Sequence, residues 1–313
     1  MITIVGSLNL DLVARVERLP EPGETLIASA YGEHEGGKGA NQAVAAARLG
    51  RVPVAMVGWV GRDEAGERLT KSLERAGVNT TAVRQTDGPT GRALIEVDAA
   101  GRNRIVVVPG ANHLGQPTDL SSLPGAAGDW LLLQREVPSV INQEAIRLAR
   151  ERGLHVALNP APSDHLDPAD WHNIDLCIAN EHETAALLAW PTEDVTADLV
   201  AAARALRNQG GVSAAVVTAG ERGVAYSTAG EEGHLPALTV TAVDTTAAGD
   251  TFVGGLVAGL SAGTSLHESA EFASAAAALT VTREGAQPSI PRREEVERFR
   301  AERMNEPKPP HGR

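Results

Sequence analysis

Two short motifs contain residues whose types and spacing suit chemistry on an anionic ligand. The first, VDTTAAGDTF at 243–252, places small residues before Asp250 where a strand-like run gives way to a helical one. The backbone N–H groups of Ala247, Ala248 and Gly249 would form an anion site at the start of this helix. A carboxylate beside such a site suits phosphoryl transfer, because it accepts a hydroxyl proton while the N–H groups stabilise the moving phosphoryl group. An acidic residue that only balances the helix dipole explains Asp250 equally well.

The second motif, GGKGANQ at 36–42, opens a helix with a lysine between glycines, in a chain with only three lysines. Glycines at such a place let the backbone approach a ligand closely. The spacing differs from that of a P-loop, so a Walker-type phosphate site is not indicated. A glycine-rich helix start with a solvated Lys38 is the alternative.

A third cluster, NEHE, puts Asn180 and Glu183 one helical turn apart after an apolar run. The pair suits the surroundings of a hydrated magnesium ion. An N-cap asparagine followed by first-turn acids is the alternative, and it is a common arrangement at the start of a helix. The histidines form no HExxH pattern, and GxSxG and a helix-opening GxGxxG are absent from the sequence. These absences argue against a catalytic zinc site, a serine hydrolase and a nicotinamide-dependent oxidoreductase.

Composition narrows the class of protein. The chain has 313 residues, of which 42% are hydrophobic and 22% charged, as in ordinary globular proteins. A net charge of −12 and an aromatic content of 3% argue against nucleic acid and anionic membranes as partners. The sequence shows neither a long apolar run nor a signal-like N-terminus, so we expect a cytoplasmic enzyme. Its single cysteine, Cys177, excludes an intramolecular disulfide and is expected to be a buried, inert thiol.

Apolar, strand-like runs alternate with helical patterns over most of the chain. This alternation predicts an α/β fold with a mostly parallel central sheet flanked by helices, a three-layer Rossmann-type sandwich. The predicted strands are 2–7, 54–60, 130–134, 155–160, 175–180 and 214–220. The predicted helices are 39–50, 63–77, 140–153, 196–210 and 266–280.

Two regions, at about 12–33 and 90–108, alternate with period 2 and predict a small β lid that projects from one domain of residues 1–300. The first includes the strand-like segment 24–32, and a further hairpin is predicted at 223–244. Each lid strand should bury one face only. Because a sheet edge needs protection, a homodimer through the lid is expected, although two ordinary edge hairpins are an alternative. The proline-rich tail at 304–313 is expected to be disordered.

Taken together, the motifs resemble those of the ribokinase-like (PfkB) carbohydrate kinase family. The resemblance runs from GSLNLDL at 6–12 to REGAQPSIP at 283–291 and includes TGRALIEV, GAN, ALNPAP and VTAGERG. It implies ATP-dependent phosphorylation of the 5-hydroxyl of D-ribose, with magnesium. Kinases for another pentose, a ketohexose or a nucleoside are alternatives, and so is a catalytically silent sugar-binding protein. The intact AAGD turn with Asp250 argues against the silent protein.

The resemblance also assigns roles to individual residues. Asp250 would be the general base, beside an anion hole made by Ala247, Ala248 and Gly249. The sugar would be held by Asn9, Asp11, Gly37, Lys38, Asn41 and Glu136. ATP would be bound by Asn180, Glu183, Thr218, Gly220, Gly223, Gly249 and Ser274.

Relatives in this family also bind potassium. Its ligands here would come, mostly through carbonyl oxygens, from Asp244, Thr246, Thr280, Arg283, Gly285 and Ser289. A loop that only packs beneath the nucleotide is the alternative for 283–289. Arg92 and Arg135 are charged where the family usually has apolar residues, which leaves the identity of the sugar open.

Overall fold

The computed structural model describes residues 1–163, 171 and 173–305. Its strands are β1 (Ile2–Val5), β2 (Asn9–Arg15), β3 (Ala30–Gly36), β4 (Val54–Gly61), β5 (Asn79–Thr86), β6 (Gly91–Val97), β7 (Asn103–Val108), β8 (Trp130–Leu133), β9 (His155–Leu158), β10 (Leu176–Asn180), β11 (Ala214–Thr218), β12 (Val224–Thr228) and β13 (Glu232–Leu235). Its α-helices are α1 (Lys38–Leu49), α2 (Glu64–Arg75), α3 (Ser139–Arg152), α4 (Glu181–Leu188), α5 (Thr192–Ala197), α6 (Leu199–Gly210), α7 (Ala248–Ser261), α8 (Leu266–Thr280) and α9 (Arg293–Asn305).

The large sheet has the strand order β13-β12-β11-β10-β9-β8-β1-β4-β5. Its strands from β11 to β5 pair in parallel, and only the edge strands β12 and β13 are antiparallel. The predicted α/β fold is confirmed. The carboxyl ends of parallel strands share one edge of a sheet, so the loops after β1, β8, β9, β10 and β11 meet there.

Alternating side chains of the sheet build a hydrophobic core on each face. Ile4 contributes to one cluster of buried residues and Val5 to the other, as the period of two requires. Helices α1, α7 and α8 cover the first face, and α3 and α6 cover the second. Cys177 is fully buried in the second cluster, and burial raises the pKa of its thiol, which leaves it inert.

The second sheet has the order β3-β2-β6-β7 and forms the small lid. The predicted hairpin at 90–108 is β6 and β7. The strand predicted over 24–32 begins only at Ala30, because its partner strand β2 ends at Arg15. The next residue, Val16, donates its N–H to the Val97 carbonyl instead of pairing with β3. The expectation that each lid strand buries one face is wrong for β7, which is exposed along its whole length.

Other boundaries also differ from the prediction. The helix predicted at 196–210 is divided at Asp198, whose carboxylate caps α6 by accepting a hydrogen bond from the Ala201 N–H (2.9 Å). The hairpin predicted at 223–244 ends at Leu235. Helix α9 continues to Asn305, into the predicted tail, and 306–313 lie outside the described residues. Among the described helices, none has the length and apolar character that a bilayer crossing needs.

Glycines allow helix α1 to lie close to its neighbours. A Cβ atom at Gly254 of α7 would come within 2.6 Å of the Gln42 carbonyl oxygen, and one at Gly39 within 2.6 Å of the Ser7 nitrogen. Neither position therefore accepts a side chain without a shift of backbone. The start of α1, which carries Lys38, is thereby fixed against both the loop after β1 and the helix that carries Asp250.

Candidate active site

A cavity of about 230 Å³ opens at the carboxyl edge of the large sheet. It lies where the loops after β9, β10 and β11 meet the start of α7 and the first residue of α1. Its lining residues are Lys38, Asn159, Ile178, Ala179, Asn180, Glu183, Thr218, Thr245, Ala247, Gly249, Asp250 and Val253. The three motifs that the sequence singled out therefore converge on one space.

Asp250 occupies the first turn of α7 and is 9% exposed. Its Oδ2 accepts a hydrogen bond from Asn41 Nδ2 (3.0 Å), and its Oδ1 accepts one from Gln42 Nε2 (2.9 Å). Burial raises the pKa of this carboxyl above its ordinary value, although the charge of Lys38 and the two amide donors oppose the rise. A carboxylate with a raised pKa is suited to accept a proton near neutral pH.

Lys38 lies among several carboxylates. Burial disfavours its charged form, but the negative charges of Asp250, Glu136 and Glu183 outweigh this effect and raise its pKa. The ammonium group is therefore held in its charged state beside the cavity. A fixed positive charge there suits both an anionic phosphate and the stabilisation of an ionised Asp250.

Asp11 brings a further carboxylate from the lid strand β2. Gly36 of β3 pairs with Asn9 of β2. A Cβ atom at Gly36 would come within 2.1 Å of the Asp11 carboxylate, so this glycine provides the space that the carboxylate occupies. Burial, together with the charges of Glu136 and Asp250, raises the pKa of Asp11 to about 7. Lys38, Asp250 and Asp11 thus form one electrostatically coupled group.

The other predicted sugar-binding residues come from the beginning of β2, from the loop after β8 and from the start of α1. Glu136 Oε2 accepts hydrogen bonds from Ser7 Oγ (2.5 Å) and from the Lys38 N–H (3.1 Å). Gly37 has a φ of +89°, and a side chain there would clash with the backbone of Asn9. Asn9 is buried, and its Oδ1 accepts a hydrogen bond from Asn112 Nδ2 (2.8 Å).

Asn180 and Glu183 form a reciprocal capping box at the start of α4. The Glu183 N–H donates to Asn180 Oδ1 (2.8 Å), and the Asn180 N–H donates to Glu183 Oε2 (2.9 Å). Both residues also line the cavity, so the capping and binding interpretations are compatible. Burial raises the pKa of Glu183, opposed by the Asn180 N–H and by Lys38.

The other predicted ATP contacts differ in position. Thr218 lines the cavity, whereas Gly220 and Gly223 lie in the following loop with positive φ angles of +49° and +89°. Ser274 lies in the middle of α8, outside the cavity lining, and its buried Oγ has no hydrogen-bond partner among the described residues.

The turn before Asp250 has an unusual backbone. Ala247 adopts a left-handed conformation (φ 61°), which costs about 1–2 kcal/mol in a residue with a Cβ atom. Ala247 and Gly249 line the cavity, and a Cβ atom at Gly249 would meet no protein atom within 4 Å. Packing therefore does not require this glycine, and the open space beside it suits a bound ligand. Ala248 is not part of the lining, and its N–H lies 3.3 Å from the Thr245 carbonyl.

The predicted cation loop brings two segments together. Asp244 Oδ1 accepts hydrogen bonds from the Thr246 N–H (2.9 Å) and Oγ1 (2.6 Å), and Asp244 Oδ2 accepts one from the Gly285 N–H (3.0 Å). Burial disfavours the charged form of Asp244, but these bonds outweigh it and lower the pKa of its carboxyl. Thr280 donates to the Ala276 carbonyl oxygen (3.0 Å).

The remaining predicted cation ligands have partners of their own. Arg283 pairs with Glu295 (2.7 Å), and Ser289 Oγ donates to the Ala286 carbonyl oxygen (2.7 Å). The donors available to a metal ion are therefore backbone carbonyl oxygens and the Asp244 carboxylate. They belong to the segments 244–246 and 280–289. Oxygen donors suit a hard cation.

Sequence reasoning missed several buried polar residues that support the site. Gln42 Nε2 donates to Asn159 Oδ1 (3.0 Å) as well as to Asp250, and Gln134 Nε2 donates to Gln42 Oε1 (2.7 Å). Asn112 bridges the lid and the body, because its Nδ2 donates to Asn9 Oδ1 of β2 (2.8 Å) and its Oδ1 accepts from the Leu8 N–H (2.9 Å). The available signal was a polar residue directly after a buried strand, as Asn159 is after β9.

The comparisons with known proteins agree with this geometry. The model of the pfkB family of carbohydrate kinases matches residues 1–293. The chain belongs to this family. The ribokinase of Haemophilus influenzae is 38% identical over 301 residues, which cover 95% of this chain and 97% of that protein.

Two further known proteins are similar to this chain over nearly their full length. The deoxyribokinase of Salmonella typhi is 36% identical over 305 residues, covering 95% of this chain and 98% of that protein. The structure of Arabidopsis thaliana ribokinase complexed with ribose and ATP matches with a TM-score of 0.82 and 32% identity, covering 95% of this chain and 97% of that one.

Arg92 lies on the lid face opposite to the one that carries Asp11. The pairing of β2 with β6 places Asp11 beside Ala93 and Leu10 beside Arg92. Because side chains alternate along a strand, Arg92 shares its face with Leu10. Arg135 is the second charged residue where the family usually has an apolar one. Its backbone N–H donates to the Ala161 carbonyl (2.9 Å).

We expect the Asp11 carboxylate to lower the stability of the protein at neutral pH. Its pKa rises from about 3.8 when unfolded to about 7 when folded, so the free energy of unfolding falls as pH rises through this interval. Relative to Asp11→Asn, the wild type should lose up to about 1.4 kcal/mol per pH unit between pH 4 and 7, with no further change above it.

Urea unfolding of both proteins at pH 5, 6, 7 and 8 measures this difference. Comparison with Asp11→Asn isolates Asp11 from the other titrating groups. A difference that does not change with pH would contradict the raised pKa.

Proposed function

We propose that this protein is an ATP-dependent kinase that transfers the γ-phosphoryl group of ATP to the 5-hydroxyl of D-ribose. The observation that carries the proposal is the position of Asp250, a buried carboxylate between the anion-binding turn and the amide of Asn41. Similarity to ribokinases over nearly the full length supports D-ribose as the sugar. The 36% identity to a deoxyribokinase makes 2-deoxy-D-ribose the second candidate.

In the proposed reaction, Asp250 acts as general base. The O–H bond of the sugar hydroxyl breaks, its proton passes to the Asp250 carboxylate, and the oxygen forms a bond to the γ-phosphorus. The bond from that phosphorus to the bridging oxygen of ADP breaks at the same centre. Lys38 and the N–H groups of Gly249 and its neighbours would stabilise the charge that develops on the phosphoryl oxygens.

Sugar recognition is assigned to the polar groups around Asp11. A carboxylate accepts hydrogen bonds from two adjacent hydroxyls, which suits Asp11 to a sugar diol. Asn41 Oδ1 is buried without a hydrogen-bond partner among the described residues, so a sugar hydroxyl would satisfy it. Glu136, Asn9 and the Gly37 turn would complete the pocket.

ATP would occupy the cavity beside Asn180, Glu183 and Thr218. Among the described residues, no group of three or more histidine, cysteine or acidic side chains could hold a metal ion by itself. The side chains of Asn180 and Glu183 at the cavity suit a magnesium ion that keeps waters and is bound mainly by nucleotide phosphates. Bound in that way, magnesium would neutralise phosphate charge while Glu183 orders its surroundings.

A coupled ADP-release assay with magnesium and potassium tests the proposal. We expect saturable turnover with D-ribose and a kcat/KM at least about 100-fold lower with 2-deoxy-D-ribose, fructose and nucleosides, because a site built to bind a hydroxyl discriminates strongly against its absence. Preference for 2-deoxy-D-ribose would replace ribose by the second candidate.

The Asp250→Asn variant belongs in the same assay. It should retain ribose binding by calorimetry while kcat falls by about 10²–10⁴-fold, because an amide does not accept the proton. Turnover near the wild-type rate would remove Asp250 from the role of base.

Potassium is proposed as the cation of the loop that contains Asp244 and Gly285. Bound there, it would stabilise the turn that presents the N–H groups of Ala247, Ala248 and Gly249. Replacing potassium with sodium at constant ionic strength should lower kcat at saturating ribose and ATP, and Asp244→Asn should reduce this difference. Equal rates in the two salts would argue against the site.

A homodimer through the lid is also proposed. On the face that carries Asp11, the cross-strand row Val13, Ile95 and Ile105 continues outward, and Ile105 is 51% exposed. Val107, in the neighbouring row, is 44% exposed. Exposed apolar rows on an unpaired edge suit burial against a second copy.

Light scattering at micromolar concentration should therefore give twice the chain mass for the wild type. Ile105→Glu should shift the protein towards the monomer, because a carboxylate on that row would be buried in the interface. Leu114→Glu, an equally exposed apolar residue outside the lid, is the matched control. A monomeric wild type would contradict the proposal.

A further inference from the structure

Gln42 contacts the proposed base but lies outside the substrate cavity. Its side chain is fully buried and is not part of the cavity lining. Its Nε2 donates to Asp250 Oδ1 (2.9 Å) and to Asn159 Oδ1 (3.0 Å). The close approach of Gly254 to the Gln42 carbonyl fixes the two helices that carry Gln42 and Asp250.

The direction of these hydrogen bonds follows from one backbone carbonyl. Asn159 Nδ2 donates to the Ile178 carbonyl (2.9 Å), which has no hydrogen to give. The Asn159 amide therefore presents its oxygen to Gln42, and Gln42 must present its NH₂ group there. The same NH₂ group faces Asp250.

Gln134 reinforces this orientation from the opposite side. Its Nε2 donates to Gln42 Oε1 (2.7 Å). Gln134 is also fully buried, and a Cβ atom at Gly6 would lie 2.0 Å from its Oε1, so Gly6 provides the space for this amide. With a partner on each side, the Gln42 amide has no alternative orientation that preserves its bonds.

The two oxygens of Asp250 consequently differ. Oδ1 faces the Gln42 NH₂ group, which only donates hydrogen bonds, so a proton on Oδ1 would point at an N–H hydrogen. Oδ2 faces the Asn41 amide, whose oxygen has no hydrogen-bond partner among the described residues. The proposed function assigns Asn41 to sugar binding. A sugar hydroxyl can thus replace the Asn41 donor at Oδ2, while Gln42 keeps its place at Oδ1.

We propose that Gln42 is a positioning residue for phosphoryl transfer, which holds Asp250 Oδ1 and leaves Oδ2 to accept the sugar proton. This inference rests on the proposed function of Asp250 as base. The proton leaves the sugar hydroxyl and resides on Oδ2, and Gln42 neither gains nor loses one. The donor at Oδ1 also favours the ionised carboxylate before the reaction.

Gln42→Met tests the proposal, because methionine has similar length and no donor. We expect kcat to fall at least about 10-fold at neutral pH, while the KM for ribose changes less than about 3-fold. The acidic limb of the kcat–pH profile should move to higher pH, because the ionised form of Asp250 has lost a donor. An unmoved limb would overturn the proposal.

Thr3→Val is the matched control for the loss of one buried hydrogen bond. Thr3 is fully buried, and its Oγ1 donates to the Pro124 carbonyl (3.0 Å) on another part of the molecule. We expect this variant to lower the thermal midpoint without moving the pH profile. If Gln42→Met behaves in the same way, the role of Gln42 is structural and the proposal is wrong.

Gln134→Met supplies a second measurement if Gln42→Met does not fold. Without its donor, the Gln42 amide loses the partner on Oε1, so the acidic limb should move in the same direction by a smaller amount. An unmoved limb in that variant would also overturn the proposal.

The double variant Gln42→Met/Asp250→Asn separates this inference from the proposed function. If Gln42 acts through Asp250, the double variant should be no slower than Asp250→Asn alone. An additional loss of the size seen in the wild-type background would refute positioning. Wild-type turnover of Asp250→Asn would instead refute the general base itself.

Discussion

A base that takes a proton from a sugar hydroxyl has to be shielded from water and still ionised, and burial opposes ionisation. In this protein the proposed base is Asp250, whose buried carboxylate is balanced by the ammonium of Lys38 and by the amides of Asn41 and Gln42. All three balancing groups come from the first five residues of α1. The structure therefore depends on the close packing of α1 against α7, which Gly254 permits.

The same arrangement concentrates negative charge. Lys38 lies near several carboxylates, and the pKa of Asp11 reaches about 7 because burial and two acidic neighbours disfavour its ionised form. Such a cluster lowers the stability of the folded protein and is retained where binding requires it. A sugar that donates hydroxyls to Asp11 and a nucleotide that brings a metal ion would relieve this repulsion, so the charge cluster suits ligands of complementary chemistry.

In the proposed function, the lid contributes both to sugar binding and to dimer formation. Strand β2 carries Asp11 near its beginning and the apolar Val13 two residues later, on the same face. One face of one small sheet thus presents both the carboxylate that is proposed to bind the sugar and the apolar side chains that are proposed to form the dimer. The register also places Arg92 on the opposite face, beside Leu10, and so separates it from the face that carries Asp11.

The sequence by itself determined the class of fold and singled out three motifs that meet at one cavity, because both depend on local patterns. Buried strands alternate with amphipathic helices, and small residues before Asp250 or around Lys38 permit close approach to a ligand. Only the tertiary structure decided that strand 24–32 begins at Ala30, where its partner ends, and that Asp198 divides a predicted helix. It also decided the role of Gln42, since the hydrogen bonds of this residue join segments that lie up to 208 positions apart. Orientation within such a network depends on groups that no local pattern brings together, such as the Ile178 carbonyl that sets the direction of the Asn159 amide.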